Sequence, residues 1–269
     1  IGAPRELARF GGYSRSLKGT TLHRDPDVKT GKTQRGCTID APEERAIKLS
    51  QLRAVVDHIQ RRCQAERWVD TEGEPLELKK VSMYDTAAYV IKPATKKRQC
   101  SLVEAIARGP QPPRWFVSHW WGQPTVELKH CLEQHALDRS LDINSTAYWL
   151  SAFAISQWSL ESTLSQTLSQ SVFLRAMNLC DGCVSVVPSK GTEYHARIWC
   201  VFEAGAALER SAGLCPEVPA TRGFLYDMYA PLYHRVQGEL IDKGETPEGE
   251  IPICNFYPGR MKLPPPPPD

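Results

Sequence analysis

The stretch Arg-Trp-Phe-Val-Ser-His-Trp-Trp-Gly, residues 114–122, decides the fold. It follows a proline-rich segment at residues 110–113, where proline can neither donate a ladder hydrogen bond nor continue a helix. The apolar run after it predicts a strand buried on both faces, as in a parallel sheet. Ser118 and the residues that follow it would end this strand at the carboxyl edge of the sheet, where open α/β folds bind ligands.

Strand and helix patterns alternate at short intervals beyond this stretch. The predicted elements are a helix over 124–139, a strand over 147–155, a helix over 172–180, a strand over 183–187, a helix over 197–210 and a strand or helix over 224–236. Such alternation predicts right-handed crossovers and a parallel sheet with helices on both faces. The expected fold class is α/β, with extended N- and C-terminal arms.

Composition divides the chain into four segments. These are a basic extended arm (1–40), a helical or irregular extension that packs on the core (41–110), the α/β domain (111–236), and an acidic, then proline-rich tail (237–269). In the extension, a helix is expected from Pro42 to about Trp68, because apolar residues between Leu52 and Cys63 repeat at helical spacing. Tyr84–Ile91 predicts a short strand or a turn of helix, and Ser101–Arg108 a short helix.

The totals restrict the class of protein. The net charge of +2, from 33 basic and 31 acidic residues, gives no case for nucleic-acid binding. No stretch approaches the roughly 20 apolar residues of a transmembrane helix. Nine scattered cysteines predict reduced thiols and an intracellular compartment. Because the chain starts at Ile1, we expect a processed product, located in the cytoplasm or in an organelle after removal of a targeting peptide.

Three motifs in this order resemble a TIR (Toll/interleukin-1 receptor) domain, a flavodoxin-like fold. Phe-Val-Ser-His at 116–119 resembles its first strand, Cys-Val-Ser-Val-Val-Pro-Ser at 183–189 a later one, and Trp-Cys-Val-Phe-Glu at 199–203 its Trp-x-x-x-Glu element. The second strand is similar to that of heterokaryon-incompatibility domains, which are TIR relatives. The run from Tyr84 to Glu203 resembles an algal-protist family that shares Phe-Val-Ser-His-Trp-Trp-Gly.

Many TIR domains cleave the nicotinamide–ribose bond of NAD, and the resemblance puts their required glutamate at Glu203. A carboxylate at this edge could stabilise an oxocarbenium-like transition state. By the same resemblance, His119 would carry a proton or bind phosphate. Ser118, Trp120, Trp121 and Trp199 would line the nucleotide.

Each of these residues also has a structural interpretation. Glu203 can complement a helix dipole, Trp199 can pack in the core, Trp120 and Trp121 can wedge the following helix, and His119 can be a hydrogen-bonded structural residue. The loop over 156–170 lacks the Gly-Pro type of turn found in TIR enzymes. The Cys180–Cys183 pair is placed neither for a thioredoxin-type redox site nor for zinc, so no metal is expected.

Two functions follow from the sequence. The favoured one is a non-catalytic assembly protein, a peripheral subunit of a larger complex whose arms bind neighbouring subunits, with possible peripheral association with a membrane complex. We favour the assembly function because the arms have too few apolar residues to fold by themselves. The alternative is an NAD glycohydrolase that uses Glu203. The five-proline tail is expected to be a plain extended segment, or a ligand for an aromatic groove.

Overall fold

A computed structural model describes residues 36–159, 171–188, 194, 196–211, 224–231 and 254–257. Six strands form one sheet in the order β1-β3-β2-β4-β5-β6. They are β1 (Ile47–Lys48), β2 (Trp115–His119), β3 (Ala147–Trp149), β4 (Gly182–Val186), β5 (Leu225–Pro231) and β6 (Cys254–Tyr257). The four central strands are parallel, and β1 and β6 join the two edges antiparallel. The predicted α/β class and mostly parallel sheet are confirmed.

The four parallel strands follow the flavodoxin-like order, in which the first strand lies between the second and the third. The chain therefore leaves β2 towards β3 on one side and returns to β4 on the other. Register places Trp115 opposite Gly182 and Ser118 opposite Ser185. The carboxyl ends of β2 and β4 thus meet at the topological switch point, where such folds bind ligands.

Helices cover both faces of this sheet, as predicted. The α-helices are α1 (Leu49–Ala65), α2 (Met83–Thr86), α3 (Lys92–Thr95), α4 (Leu102–Ile106), α5 (Thr125–Asp138), α6 (Ser151–Ala154), α7 (Val172–Asn178) and α8 (Ile198–Ser211). A π-helical turn, Ala87–Ile91, joins α2 to α3, so this segment takes the helical alternative. The predicted helices at 101–108, 124–139, 172–180 and 197–210 are confirmed as α4, α5, α7 and α8.

Alternate strand residues divide the core into two layers, because successive side chains of a strand point to opposite faces. Trp115, Val117 and Val184 pack with the apolar stripes of α1 and α5. Phe116 and Cys183 pack with α7 and α8 instead. We name these layers the α5 face and the α8 face.

The predicted helix from Pro42 to Trp68 is wrong in its first third. Pro42–Glu44 forms a single 3-10 turn, then β1 pairs with β3, and the α-helix begins at Leu49. Tertiary contacts override the local pattern here, because the Gln111 side chain donates to Ala46 O at 2.7 Å and the Ala46 N–H donates to Gln111 O at 3.0 Å. The stripe from Leu52 to Cys63 is buried as predicted.

The predicted second strand over 147–155 is also too long. Only Ala147–Trp149 pairs in the sheet, and α6 follows directly. Ala152, Phe153 and Ala154 are fully buried, and a continuous apolar run does not distinguish a buried helix from a buried strand.

The predicted tail contributes to the sheet, which the sequence analysis did not anticipate. Strand β6, at Cys254–Tyr257, pairs antiparallel with β5. The segment over 224–236 takes the strand alternative as β5. The basic arm up to residue 35, the loop over 160–170 and the five-proline segment lie outside the described residues.

Candidate functional site

The carboxyl ends of β2 and β4 each carry a buried serine on the same face of the sheet. Ser118 and Ser185 are register partners, are both fully buried, and are both on the α8 face. Polar groups in such positions need hydrogen-bond partners, because an unsatisfied buried hydroxyl is costly. Those partners form the candidate site.

Glu203 lies directly over this edge. Its helix α8 buries Cys200, Glu203 and Ala207, a stripe at helical spacing that faces the sheet. The Glu203 carboxyl is 6% exposed, and burial raises its pKa to about 8, an effect that a hydrogen bond with the Ser118 side chain partly offsets. The carboxyl is therefore mostly protonated at neutral pH.

Two tyrosines complete a buried hydroxyl network on this face. The Tyr194 hydroxyl lies 2.9 Å from Ser118 Oγ and 2.8 Å from Ser185 Oγ. The Tyr226 hydroxyl lies 3.0 Å from Ser185 Oγ. Burial raises the pKa of both phenols, so both stay neutral. The network connects Tyr226 to Glu203 through hydrogen bonds alone.

His119, the last residue of β2, does not join this network. Strand alternation directs its imidazole to the α5 face, away from Ser118. Burial lowers its pKa to about 4, so the ring is neutral at physiological pH and can hydrogen-bond without changing charge. Its backbone oxygen accepts a long hydrogen bond of 3.6 Å from the Cys200 thiol.

The loop after β2 holds polar atoms that lack partners. Within the described residues, His119 Nε2, Trp120 Nε1 and Gln123 Oε1 are buried and have no hydrogen-bond partner. The Trp120 ring packs over Gly122, where a Cβ atom would lie 2.2 Å from it. The Arg197 guanidinium, at the start of α8, lies 5.9 Å from the centroid of the Trp120 ring. Trp120 Nε1 is thus an unused donor close to the start of α8.

The other two tryptophans named from the sequence take structural positions. Trp121 packs against Tyr84, with ring centroids 5.6 Å apart, and its indole nitrogen lies 3.4 Å from Ser151 Oγ. Trp199 stacks on Phe173 of α7 at 5.3 Å. Trp120 lies at the switch point, in the loop that follows β2, and like the other two it is partly exposed.

The thiols near Glu203 are inert in this environment. Burial and the neighbouring Glu203 carboxyl raise the pKa of Cys200 to about 12 and hold that of Cys183 well above its usual value. Both are free, as is Cys180. Among the described residues, no group of three or more potential ligands could hold a metal ion.

A second polar cluster lies on the α5 face. Asp227 of β5 is fully buried and accepts hydrogen bonds from the Arg139 guanidinium. His135 Nε2 lies 3.3 Å from Asp227 Oδ2, outside hydrogen-bonding geometry, while His135 Nδ1 lies 2.9 Å from the Tyr148 hydroxyl. Burial alone would raise the pKa of Asp227, yet His135 and Arg139 bring it below its usual value. Every member is engaged, so this cluster is a structural link.

An open cleft of about 440 Å³ lies apart from both clusters, beside Arg45, Arg98 and Ser156. Its guanidinium groups donate to backbone carbonyls, Arg45 to Ile39 O and Arg98 to Cys37 O. None of the residues predicted from the sequence to form a site lines this cleft.

Sequence reasoning therefore found Glu203 and Ser118 but missed Ser185, Tyr194 and Tyr226. One signal was available for Ser185. It is a polar residue near the end of a mostly apolar strand, as Ser118 is, with a Val-Ser pair in both strands. The segment around Tyr194 has no periodic pattern, so nothing in the sequence points to that residue.

Among the described residues, no helix is long and apolar enough to cross a membrane. A scan against protein-family models and searches of the curated proteins and of the solved structures find no match.

Proposed function

We propose that the protein is a glycohydrolase that cleaves the nicotinamide–ribose bond of NAD, with Glu203 as its catalytic carboxylate. The observation that carries this proposal is the buried Glu203 carboxyl, with its raised pKa, at the switch point of the sheet. Strongly perturbed carboxyl groups in such positions are typical of active sites. The resemblance of residues 199–203 to the TIR Trp-x-x-x-Glu element supplies the reaction class.

The reaction needs a negative charge that acts on the ribose. The bond between ribose C1′ and the nicotinamide nitrogen breaks, and its electron pair leaves with nicotinamide. The ribose then carries oxocarbenium-like positive charge, which the ionised Glu203 carboxylate stabilises. Water adds to C1′ and releases a proton, giving ADP-ribose.

The loop after β2 supplies groups to hold the nucleotide. Trp120 Nε1 and Gln123 Oε1 have no partner among the described residues, and a dinucleotide carries many donors and acceptors. Because Glu203 is 6% exposed, the substrate has to displace neighbouring groups before the ribose reaches it. We expect slow turnover limited by this opening.

Nicotinamide release from NAD tests the proposal. The full chain at high concentration should release nicotinamide, and Glu203→Gln should abolish release, because the amide keeps the shape but cannot ionise. Glu209→Gln is the matched control, since Glu209 is an exposed carboxylate on the same helix. No release by the wild type, or equal release by Glu203→Gln, would refute the proposal.

The assembly function remains a second candidate because α8 exposes an apolar stripe on the side opposite Glu203. Ile198 is 77%, Val201 50% and Leu208 44% exposed. Helical spacing places these residues on one face together with Gly205. Contiguous exposed apolar surface is typical of protein interfaces. In this function α8 docks against a neighbouring subunit of a larger complex.

A photo-crosslinker placed at position 201 tests this second function in the native assembly. We expect one partner subunit to be linked at Val201, and none when the crosslinker replaces Lys97, an exposed residue far along the chain. If position 201 gives no adduct, or both positions give the same adducts, α8 is not a docking face.

A further inference from the structure

We propose that Tyr194 is a positioning residue for Glu203, acting through the Ser118 hydroxyl. This inference rests on the proposed function for its catalytic meaning. Its physical content concerns the protein without substrate. Tyr194 is 1% exposed and bonds two serines, one on each of the neighbouring strands β2 and β4.

Donor counting gives the network a direction. The Tyr194 hydroxyl has one proton and two serine neighbours, at 2.9 and 2.8 Å, so it donates to one serine and accepts from the other. An ionised carboxylate only accepts hydrogen bonds. When Glu203 is ionised, Ser118 must therefore donate to it, and Tyr194 donates to Ser118.

The same rule fixes the remaining bonds. Tyr194, whose one proton then points to Ser118, can only accept from Ser185, and Tyr226 donates to Ser185. Ser118, Tyr194 and Ser185 then each donate once and accept once within the chain, so it points towards the carboxylate. Hydrogen bonds aligned in series strengthen one another, especially in a buried site, where the local dielectric constant is low. With a protonated carboxyl, the chain can run in the opposite direction.

Tyr194 is the link on which this alignment depends. Within the described part of the chain, its hydroxyl bonds both the β2 serine and the β4 serine. Removal of this hydroxyl takes the Tyr194 donor from Ser118 and separates Ser185 from Glu203. The carboxylate form then loses support, while the protonated form loses little.

The other titratable groups around Glu203 are neutral, so their charge does not contribute to the expected shift in the pKa of Glu203. Cys200 on α8 and Cys183 on β4 are neutral thiols with strongly raised pKa values. His119 of β2 is neutral above pH 5 and points to the α5 face. Tyr194 and Tyr226 are neutral phenols.

Carboxyl ¹³C NMR titration of the free full chain tests the inference. The Glu203 signal is assigned by its absence in Glu203→Gln. In Tyr194→Phe, we expect the pKa of Glu203 to rise by about half a unit to one unit, the equivalent of one hydrogen bond. Ser185→Ala removes the next hydroxyl of the same chain and should shift the pKa of Glu203 in the same direction. This second variant keeps the test valid if Tyr194→Phe does not fold.

Tyr148→Phe is the matched control, because Tyr148 is a fully buried tyrosine on the opposite face whose hydroxyl bonds His135. It should leave the pKa of Glu203 unchanged. An unchanged pKa in both Tyr194→Phe and Ser185→Ala, or an equal shift in Tyr148→Phe, overturns the inference. Because NMR needs no substrate, a shifted pKa without nicotinamide release by the wild type upholds the positioning role and refutes only the hydrolase.

Discussion

At the scale of single residues, Glu203 is unusual because the fold holds a carboxyl group where its charge is disfavoured. Burial raises its pKa from 4.5 to about 8. Such a group costs stability whenever it ionises, and positions of this kind are typically retained for function. Its ionisation therefore affects the stability of the protein and, in the proposed function, the rate of catalysis.

The first prediction concerns the rate of nicotinamide release. If the ionised carboxylate is the active form, kcat/KM should rise with pH up to the pKa of the free protein, about 8, and then level off. The positive nicotinamide ring favours the ionised form, so the corresponding rise in kcat should lie at lower pH. Initial rates between pH 5.5 and 9.5 measure both. A flat profile contradicts a role for Glu203 ionisation.

The second prediction concerns the free energy of unfolding. Between pH 4.5 and about 8 the folded protein holds a proton that the unfolded chain releases, so stability must fall as pH rises through this window. Glu203→Gln removes this dependence. Relative to the variant, the wild type should lose about 2.5–3 kcal/mol between pH 6 and pH 9. Urea unfolding at both pH values measures the difference, and parallel behaviour of the two proteins would place the pKa near its ordinary value.

At the scale of elements, the buried Asp227 links helix α5 to strand β5 through Arg139. This ion pair is fully buried at Asp227 and partly exposed at Arg139, whose side chain is 28% exposed. The loss of one partner from such a pair leaves an uncompensated charge, whereas the loss of both is much milder.

A third prediction follows for this link. Arg139→Met should destabilise the protein by about 3–5 kcal/mol, and Arg139→Met/Asp227→Asn by clearly less. Arg53→Met breaks the more exposed ion pair with Glu133 and should cost about 1 kcal/mol or less. Urea unfolding at pH 7 compares the three. If the double variant is as unstable as the single one, the buried charge is not the cause.

The fourth prediction concerns two glycines whose replacement by alanine should change the stability of the protein in opposite directions. A Cβ on Gly182 of β4 would lie 2.5 Å from Leu225 O and 2.5 Å from the buried Trp115 ring, so Gly182→Ala should cost about 2 kcal/mol or more. A Cβ on Gly205 of α8 meets nothing within 4 Å, so Gly205→Ala should add about 0.5–1 kcal/mol through helix propensity. Melting temperatures of both variants check the signs. Equal shifts would contradict the packing at Gly182.

Elements whose own sequence sets their type could be predicted, and those set by partners could not. Strand β2, helix α5 and helix α8 carry continuous apolar or helical patterns, and the predictions were confirmed. Strand β1 has two residues and exists because Gln111 and β3 hold it in place. Tyr194 likewise owes its role to strands that meet only in the folded chain.

At the scale of the whole molecule, residues 41–110 and the predicted α/β domain form one body. A single core cluster runs from Ile39 to Tyr229 and includes the buried stripes of both α1 and α5. This cluster spans the division drawn from composition at residue 110, and it contains the contacts through which residues 41–110 pack on the α/β core.

A fifth prediction tests this unity. A fragment of residues 111–269 lacks α1 and β1 and should expose apolar surface, bind a hydrophobic dye and unfold without a cooperative transition. A fragment of residues 36–269 keeps the whole described core and should unfold cooperatively. Calorimetry and dye fluorescence compare them. Cooperative unfolding of the shorter fragment would show that the first 110 residues are a separate unit.

The alternation of polar residues along β5 has a consequence for how the sheet is assembled. Tyr226 faces the hydroxyl network and Asp227, its neighbour, faces Arg139. A slip of β5 by one residue would turn the Asp227 carboxylate away from the Arg139 guanidinium and towards Glu203. Two acidic groups would then be buried side by side on the α8 face. The slipped register is therefore destabilised on both faces of the sheet. Tyr226 and Asp227 thus also favour the correct register of β5 in the sheet.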